Sequence, residues 1–158
     1  MKKILFMIMF TCCACMASAQ IESGTFLVGA SSNIGYNNLS PDNSSGYTIM
    51  NIDLKGGYFV INNLVLGLNV GYTKVDEFSE LSIGAFTRYY IAGKFFAGAG
   101  FTSIKTDETD AVTEIPIELG YAAFVAGNFA IEPSLSYAMG DGYERFGANL
   151  GFMFYLGR

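Results

Sequence analysis

The stretch Arg145-Phe146-Gly147-Ala148-Asn149-Leu150-Gly151-Phe152-Met153-Phe154-Tyr155-Leu156-Gly157-Arg158 decides how the chain is read. Phe146, Ala148, Leu150, Phe152, Phe154 and Leu156 are apolar. Between them stand Gly147, Asn149, Gly151, Met153 and Tyr155, mostly small or polar. A period of two puts the two sets on opposite faces of one strand. The apolar face turns aromatic toward its end.

Working back from that stretch, seven more segments repeat the pattern. They are predicted at residues 25–36, 47–60, 64–74, 80–90, 94–105, 112–124 and 129–139. Residues 64–74 give the cleanest case: Leu64, Leu66, Leu68, Val70 and Tyr72 alternate with Val65, Gly67, Asn69, Gly71 and Thr73. Residues 94–105 are rich in Gly and Ala, and their faces separate less well. Short turns are predicted at Ile61-Asn62-Asn63, Ile91-Ala92-Gly93 and Val125-Ala126-Gly127-Asn128. They recur about every thirty residues, one hairpin per unit, as in an up-and-down meander. Longer polar connections are expected between them, at residues 37–46, 75–79, 106–111 and 140–144. Pro116 and Pro133 each remove a ladder donor from a strand interior, which predicts local bulges or displaced strand boundaries.

The first 19 residues read as a secretory leader. Lys2 and Lys3 precede an apolar run from Ile4 to Met16 broken only by Thr11, and Ala17-Ser18-Ala19 is a small-x-small cleavage site before Gln20. The run is too short to span a membrane as a helix. A lipoprotein leader ending at Cys12, Cys13 or Cys15 fits the residues before each cysteine poorly. Residues 20–158 are then the barrel domain. They hold no cysteine, no histidine and no tryptophan, so no disulfide stabilises them. Seven basic residues face fourteen acidic ones there, a net charge near −7, which argues against a nucleic-acid partner. No apolar stretch of 18 residues occurs after the leader, although half the chain is hydrophobic.

Alternation alone does not say which face points inward. Strand length favours apolar outside: about 11 residues at ~3.3 Å each, tilted by about 45°, give a band near ~25 Å tall. The other face is dominated by Gly, Ser, Asn and Thr, and the bore of eight strands has little room for more. Aromatics sit at strand ends, where membrane girdles belong: Tyr36, Tyr58, Tyr72, Tyr89, Phe95, Tyr121, Phe129, Tyr137, Phe152 and Phe154. Alternation of short turns with longer loops is that of the two ends of such a barrel. The leader, the eight strands and the closing Phe152-Met153-Phe154-Tyr155-Leu156 resemble the small bacterial outer-membrane barrels, the group of the OmpA transmembrane domain, OmpX and OmpW. That family ends on an aromatic residue, whereas Gly157-Arg158 follow here. The resemblance implies an all-β, eight-stranded antiparallel transmembrane barrel in a Gram-negative outer membrane. It also implies insertion by the barrel-assembly machinery; a monomer is expected.

The chemistry expected is sparse. Without histidine there is no Ser–His or Cys–His pair and no His-ligated metal. Two carboxylates alone can cleave glycosides, but a lumen without clefts suits structural ion pairs better. Inward parity puts Asp53, Lys55, Arg88, Glu118 and Glu132 in the lumen, with Glu80 and Glu114 nearer the loops. They form either a salt-bridge plug or a narrow cation path; the small bore favours the plug. Asp76, Glu77, Asp107, Glu108, Asp110, Asp141 and Glu144 make the loops acidic, but no spacing matches a calcium loop. Gly98-Ala99-Gly100 is no phosphate loop, since no helix follows and the Walker lysine is absent. Neither metal nor cofactor is expected. Lys74, Lys105 and Arg145 lie where strands leave the loops and are candidates to touch lipopolysaccharide phosphates. A non-catalytic envelope or surface-interaction role is expected, with a narrow porin-like channel or conduit as the alternative.

Overall fold

The structure, a computed structural model, describes residues 20–38, 47–75, 78–106, 109–140 and 143–157. The leader, most of the connection 37–46, and Asp76, Glu77, Asp107, Glu108 and Asp141 lie outside them. Within the described residues run β1 (Phe26–Asn38), β2 (Tyr47–Ile61), β3 (Leu64–Val75), β4 (Phe78–Ile91), β5 (Phe95–Thr106), β6 (Thr109–Tyr121), β7 (Ala123–Ala126), β8 (Phe129–Gly140) and β9 (Tyr143–Leu156). Each pairs antiparallel with its neighbours. β6 and β7 run end to end along β8, so nine strands make eight staves. β1 also pairs with β9, from Phe26↔Leu156 to Asn38↔Glu144, which closes the barrel. Closure removes every sheet edge, as hydrocarbon requires, because a bare N–H or C=O there costs several kcal/mol.

The stagger follows from the registers. Phe26 leads through paired residues to Tyr58, Leu66, Thr87, Ala99, Ile117, Tyr137 and Phe146, and returns to β1 at Tyr36, ten residues further on. Such a shear on eight strands tilts them by about 40°. The large apolar residues of the alternating pattern point outward on every stave, with Leu68 67% and Leu54 62% exposed. Corrected for the climb of the stagger, their band has level edges. It starts at Leu64, Ile91, Phe95, Phe129 and Leu156, and ends at Tyr72, Leu81, Ile115, Met139 and Phe146. On β5 it ends one step earlier, at Phe101. The band is about 25 Å tall, the apolar height of a membrane barrel. Its lower edge is an aromatic ring in which Phe26 packs on Tyr58, Phe95 on Tyr121 and Phe129 on Phe154, with centroids 4.8–5.0 Å apart.

Three expectations are corrected. Loops at 75–79, 106–111 and 140–144 shrink, because the ladders run on through them: Val75 pairs with Phe78, Thr106 with Thr109 and Gly140 with Tyr143. Polar residues read as loop there are strand that stands clear of the apolar band. The prolines cause no bulge. Ladder pairing of β5 with β6 lapses opposite Pro116, between Ala99↔Ile117 and Thr102↔Glu114, and resumes in the same register. Pro133 stays paired with Leu150, and its other flank faces the break between β6 and β7. There Ala122 donates instead to the Lys94 carbonyl at 2.7 Å. A missing donor thus interrupts the ladder without adding a residue. The strand expected at 112–124 is consequently split at Ala122.

Candidate functional site in the barrel lumen

The inward residues form layers, and the lowest is dry. Phe59, Tyr90, Phe96, Phe124 and Tyr155 meet across the bore at the end of the short turns. Leu27, Val65, Ala122, Ala130, Met153 and Ile21 complete one apolar cluster with them. Phe59, Tyr90 and Tyr155 have no exposed surface. The expected lumen of small polar residues is therefore wrong for this end. Tyr155 and Met153 in the deciding stretch are core, not polar lining.

Arg88 lies immediately above this cluster and is 2% exposed. Its Nε and Nη2 donate to Glu118 Oε2 at 3.1 and 2.7 Å. Its Nη1 donates to Glu132 Oε2 at 3.0 Å. The guanidinium also sits 4.6 Å from the ring centroid of Phe96 and 5.2 Å from that of Phe86. Ser134 donates to the second oxygen of Glu118 at 2.6 Å, and the Tyr155 hydroxyl donates to the second oxygen of Glu132. Lys55 Nζ stands 3.6 Å from Glu118. A charge in this setting is tolerated only when paired and hydrogen-bonded, and these charges are.

Inward glycines make the layer possible. A Cβ on Gly98 would lie 2.8 Å from Arg88 Cγ, and one on Gly120 would run into the Phe96 ring. These glycines are sockets for large side chains on the next strand. Sequence reading found them as small residues in a narrow bore and missed their use, because a socket is defined by its cross-strand partner.

Toward the tips the lumen is amide- and hydroxyl-lined. Asn33 donates to Asn149, and Asn149 donates to Ser134 at 3.3 Å. A cavity of about 110 Å³ lies between these groups and Asp53, Lys55, Asn69, Ser82 and Thr102. It has room for several waters. Of the five lumen residues expected, Arg88, Glu118, Glu132 and Lys55 come together in one cluster. Asp53 lies on the cavity wall and, among the described residues, joins no ion pair within 4 Å.

The three expected lipopolysaccharide contacts do not share a face. Arg145 has inward parity, and its guanidinium bonds Glu114 across the lumen. That excludes it from the outer set. Lys105 is exposed on the outside, paired with Leu81 at the upper edge of the band. Lys74 is a paired strand residue beside Ser79, and its side chain lies outside the described residues.

The barrel superposes on solved membrane barrels. Neisserial surface protein A matches with a TM-score of 0.64 at 16% identity, over 83% of this chain and 98% of that one. The fold is that of the small outer-membrane barrels. Ail, the attachment invasion locus protein of Yersinia pestis, matches with a TM-score of 0.57 at 17% identity, over 84% of this chain and 98% of that one. A de novo designed transmembrane β-barrel matches equally well, with a TM-score of 0.57 at 14% identity, over 87% of this chain and all of that one. A fold shared by natural and designed barrels carries no particular function. No family profile matches the sequence. No curated protein matches it either.

Proposed function

We propose that this chain is an integral protein of a Gram-negative outer membrane whose lumen is sealed. It is a non-catalytic, non-conducting barrel that contributes to envelope integrity or to interactions at the cell surface. One observation carries this reading: Phe59, Tyr90, Phe96 and Tyr155, each at most 2% exposed, fill the bore beneath the Arg88 cluster. A buried aromatic floor under paired charges leaves no path for a hydrated ion. A narrow porin-like channel or solute conduit is the second reading, supported by the cavity in the tip half. Planar-bilayer recording separates the two. Purified protein is expected to show no conductance steps; steady steps would replace the first reading with the second.

The remaining roles follow from position. Residues 1–19 direct export and are removed, and the strand β9 with its aromatic outer face presents the chain to the barrel-assembly machinery. The barrel works as a monomer in lipid. Lys74 and Lys105 meet lipopolysaccharide phosphates, a contact suited to cations just above an apolar band. Reversing both charges is expected to reduce the lipopolysaccharide that co-purifies with the barrel. Unchanged retention would leave Lys74 and Lys105 as ordinary polar rim.

A further inference from the structure

Residues 20–24 lie against the β2–β3 turn at the base of the barrel, below the last β1–β2 ladder bond, in which the Phe59 N–H donates to the Thr25 carbonyl at 2.9 Å. The Ile21 N–H donates to the Asn63 side chain at 2.9 Å, and the Ile21 carbonyl accepts from the Asn63 N–H at 2.9 Å. The Ser23 N–H donates to the Asn62 side chain at 3.0 Å. Gly24, at φ +92°, turns the chain into β1, and its N–H donates to the Phe59 carbonyl at 2.9 Å. A left-handed φ makes this the natural pivot. The Ile21 side chain has no exposed surface and belongs to the same cluster as Phe59, Tyr90 and Tyr155. Thr25 is also fully buried, and its hydroxyl is the buried side-chain polar atom without a hydrogen-bond partner among the described residues.

We propose that residues 20–24 are a latch over the base of the lumen, pivoting at Gly24, which opens while the barrel wall stays intact. Wall strands are held by a ladder on each side. The latch is held by bonds to one turn and one strand end, and by one apolar side chain. Two opposed contributions tune it. Burial of Ile21 favours the closed state. The orphaned Thr25 hydroxyl favours the open state, where water reaches it. A segment held this way opens locally at lower free energy than the sheet behind it. What it covers is the aromatic floor with Tyr155 and Glu132 behind it, so the latch sets how readily water and small solutes reach that cluster from the base.

Residues 20–158 hold no cysteine, so a single one placed in the latch is unique in the barrel. Ile21→Cys and Glu22→Cys are reacted with a charged maleimide in the folded, detergent-solubilised protein; Glu22 is exposed. Ile21→Cys is expected to react roughly 10- to 100-fold more slowly than Glu22→Cys, yet in conditions where gel mobility still reports a folded barrel. Asn63→Ala should speed the reaction at position 21, and Thr25→Val should slow it. Equal rates at positions 21 and 22 would show that nothing closes. Reaction only in step with loss of folded mobility would show that the segment is part of the wall. A rate at position 21 unmoved by Thr25→Val would remove the poise assigned to that hydroxyl. If Ile21→Cys does not fold, hydrogen exchange of the unmodified chain gives the same reading. Ile21 and Ser23 amides exchanging ahead of β3 support the latch; exchange together with β3 overturns it. None of these outcomes depends on whether the barrel conducts.

Discussion

The two halves of the lumen are built from the same alternating strands and reach opposite solutions. At the base, Phe59, Tyr90, Phe96 and Tyr155 form one buried apolar cluster with Met153 and Leu27. Toward the tips, Asn33, Asn149, Ser82 and Thr102 surround a cavity with room for water. The outer face shows no such division, since one apolar band covers both halves. The Arg88 cluster marks the boundary. Its guanidinium faces aromatic rings on one side and binds Glu118 on the other, a carboxylate that Ser134 and Lys55 also reach. Lipid thus dictates the outside of a small barrel, while the inside is free to be dry or wet at different depths.

The strongest test of that boundary is Arg88→Ala. It leaves Glu118 and Glu132 facing each other without their shared cation. Breaking a buried pair in this way costs about 3–5 kcal/mol. Urea unfolding in micelles, followed by circular dichroism and gel mobility because the chain has no tryptophan, should show a loss of this size. A loss below about 1 kcal/mol would mean that water already solvates the layer and that the base is not dry.

Next in size is Leu150→Arg on the outer face. Leu150 pairs with Ser32 and Pro133, near the middle of the band. A cation there should cost about 2–4 kcal/mol, and the same residue at Thr113, above the band, close to nothing. Equal costs at the two sites would mean that the outer band is not embedded in hydrocarbon. The contrast with Arg88 would then lose its meaning, because inside and outside would share one solvent.

How much of this was legible differs between the faces. Outward parity could be read on every stave but the Gly- and Ala-rich one at residues 94–105, because a period of two survives most details of packing. The four clustered charges were found by the same parity. Aromatic packing at the base was not, since Phe59 and Phe96 sit between outward neighbours at strand ends, where extra apolar residues look like girdle. Arg145 was misplaced for a related reason. Its position next to a loop suggested a surface role, whereas its parity, odd like that of Gly147 and Asn149, turns it toward Glu114. The prolines left a bulge and a displaced boundary open, because an added residue and a lost donor leave the same mark in a sequence; the structure shows a boundary, at Ala122.

Asp53→Asn should give the smallest effect and bears on the wet half alone. Asp53 stands among the inward charges, yet its carboxylate lines the cavity and, among the described residues, makes no ion pair within 4 Å. Exchange for a neutral side chain of the same shape breaks no ion pair among the described residues, and the adjoining cavity has room for water, so stability should change by no more than about 0.5 kcal/mol. The same exchange at Glu132 strips a bond to Arg88 in a site closed to water, and a loss of about 1.5–3 kcal/mol is expected there. The ratio of the two losses measures the difference in solvation between the halves. A large loss at Asp53 would require the tip half to be as dry as the base, and the cavity would then be a packing void lined by groups that water does not reach.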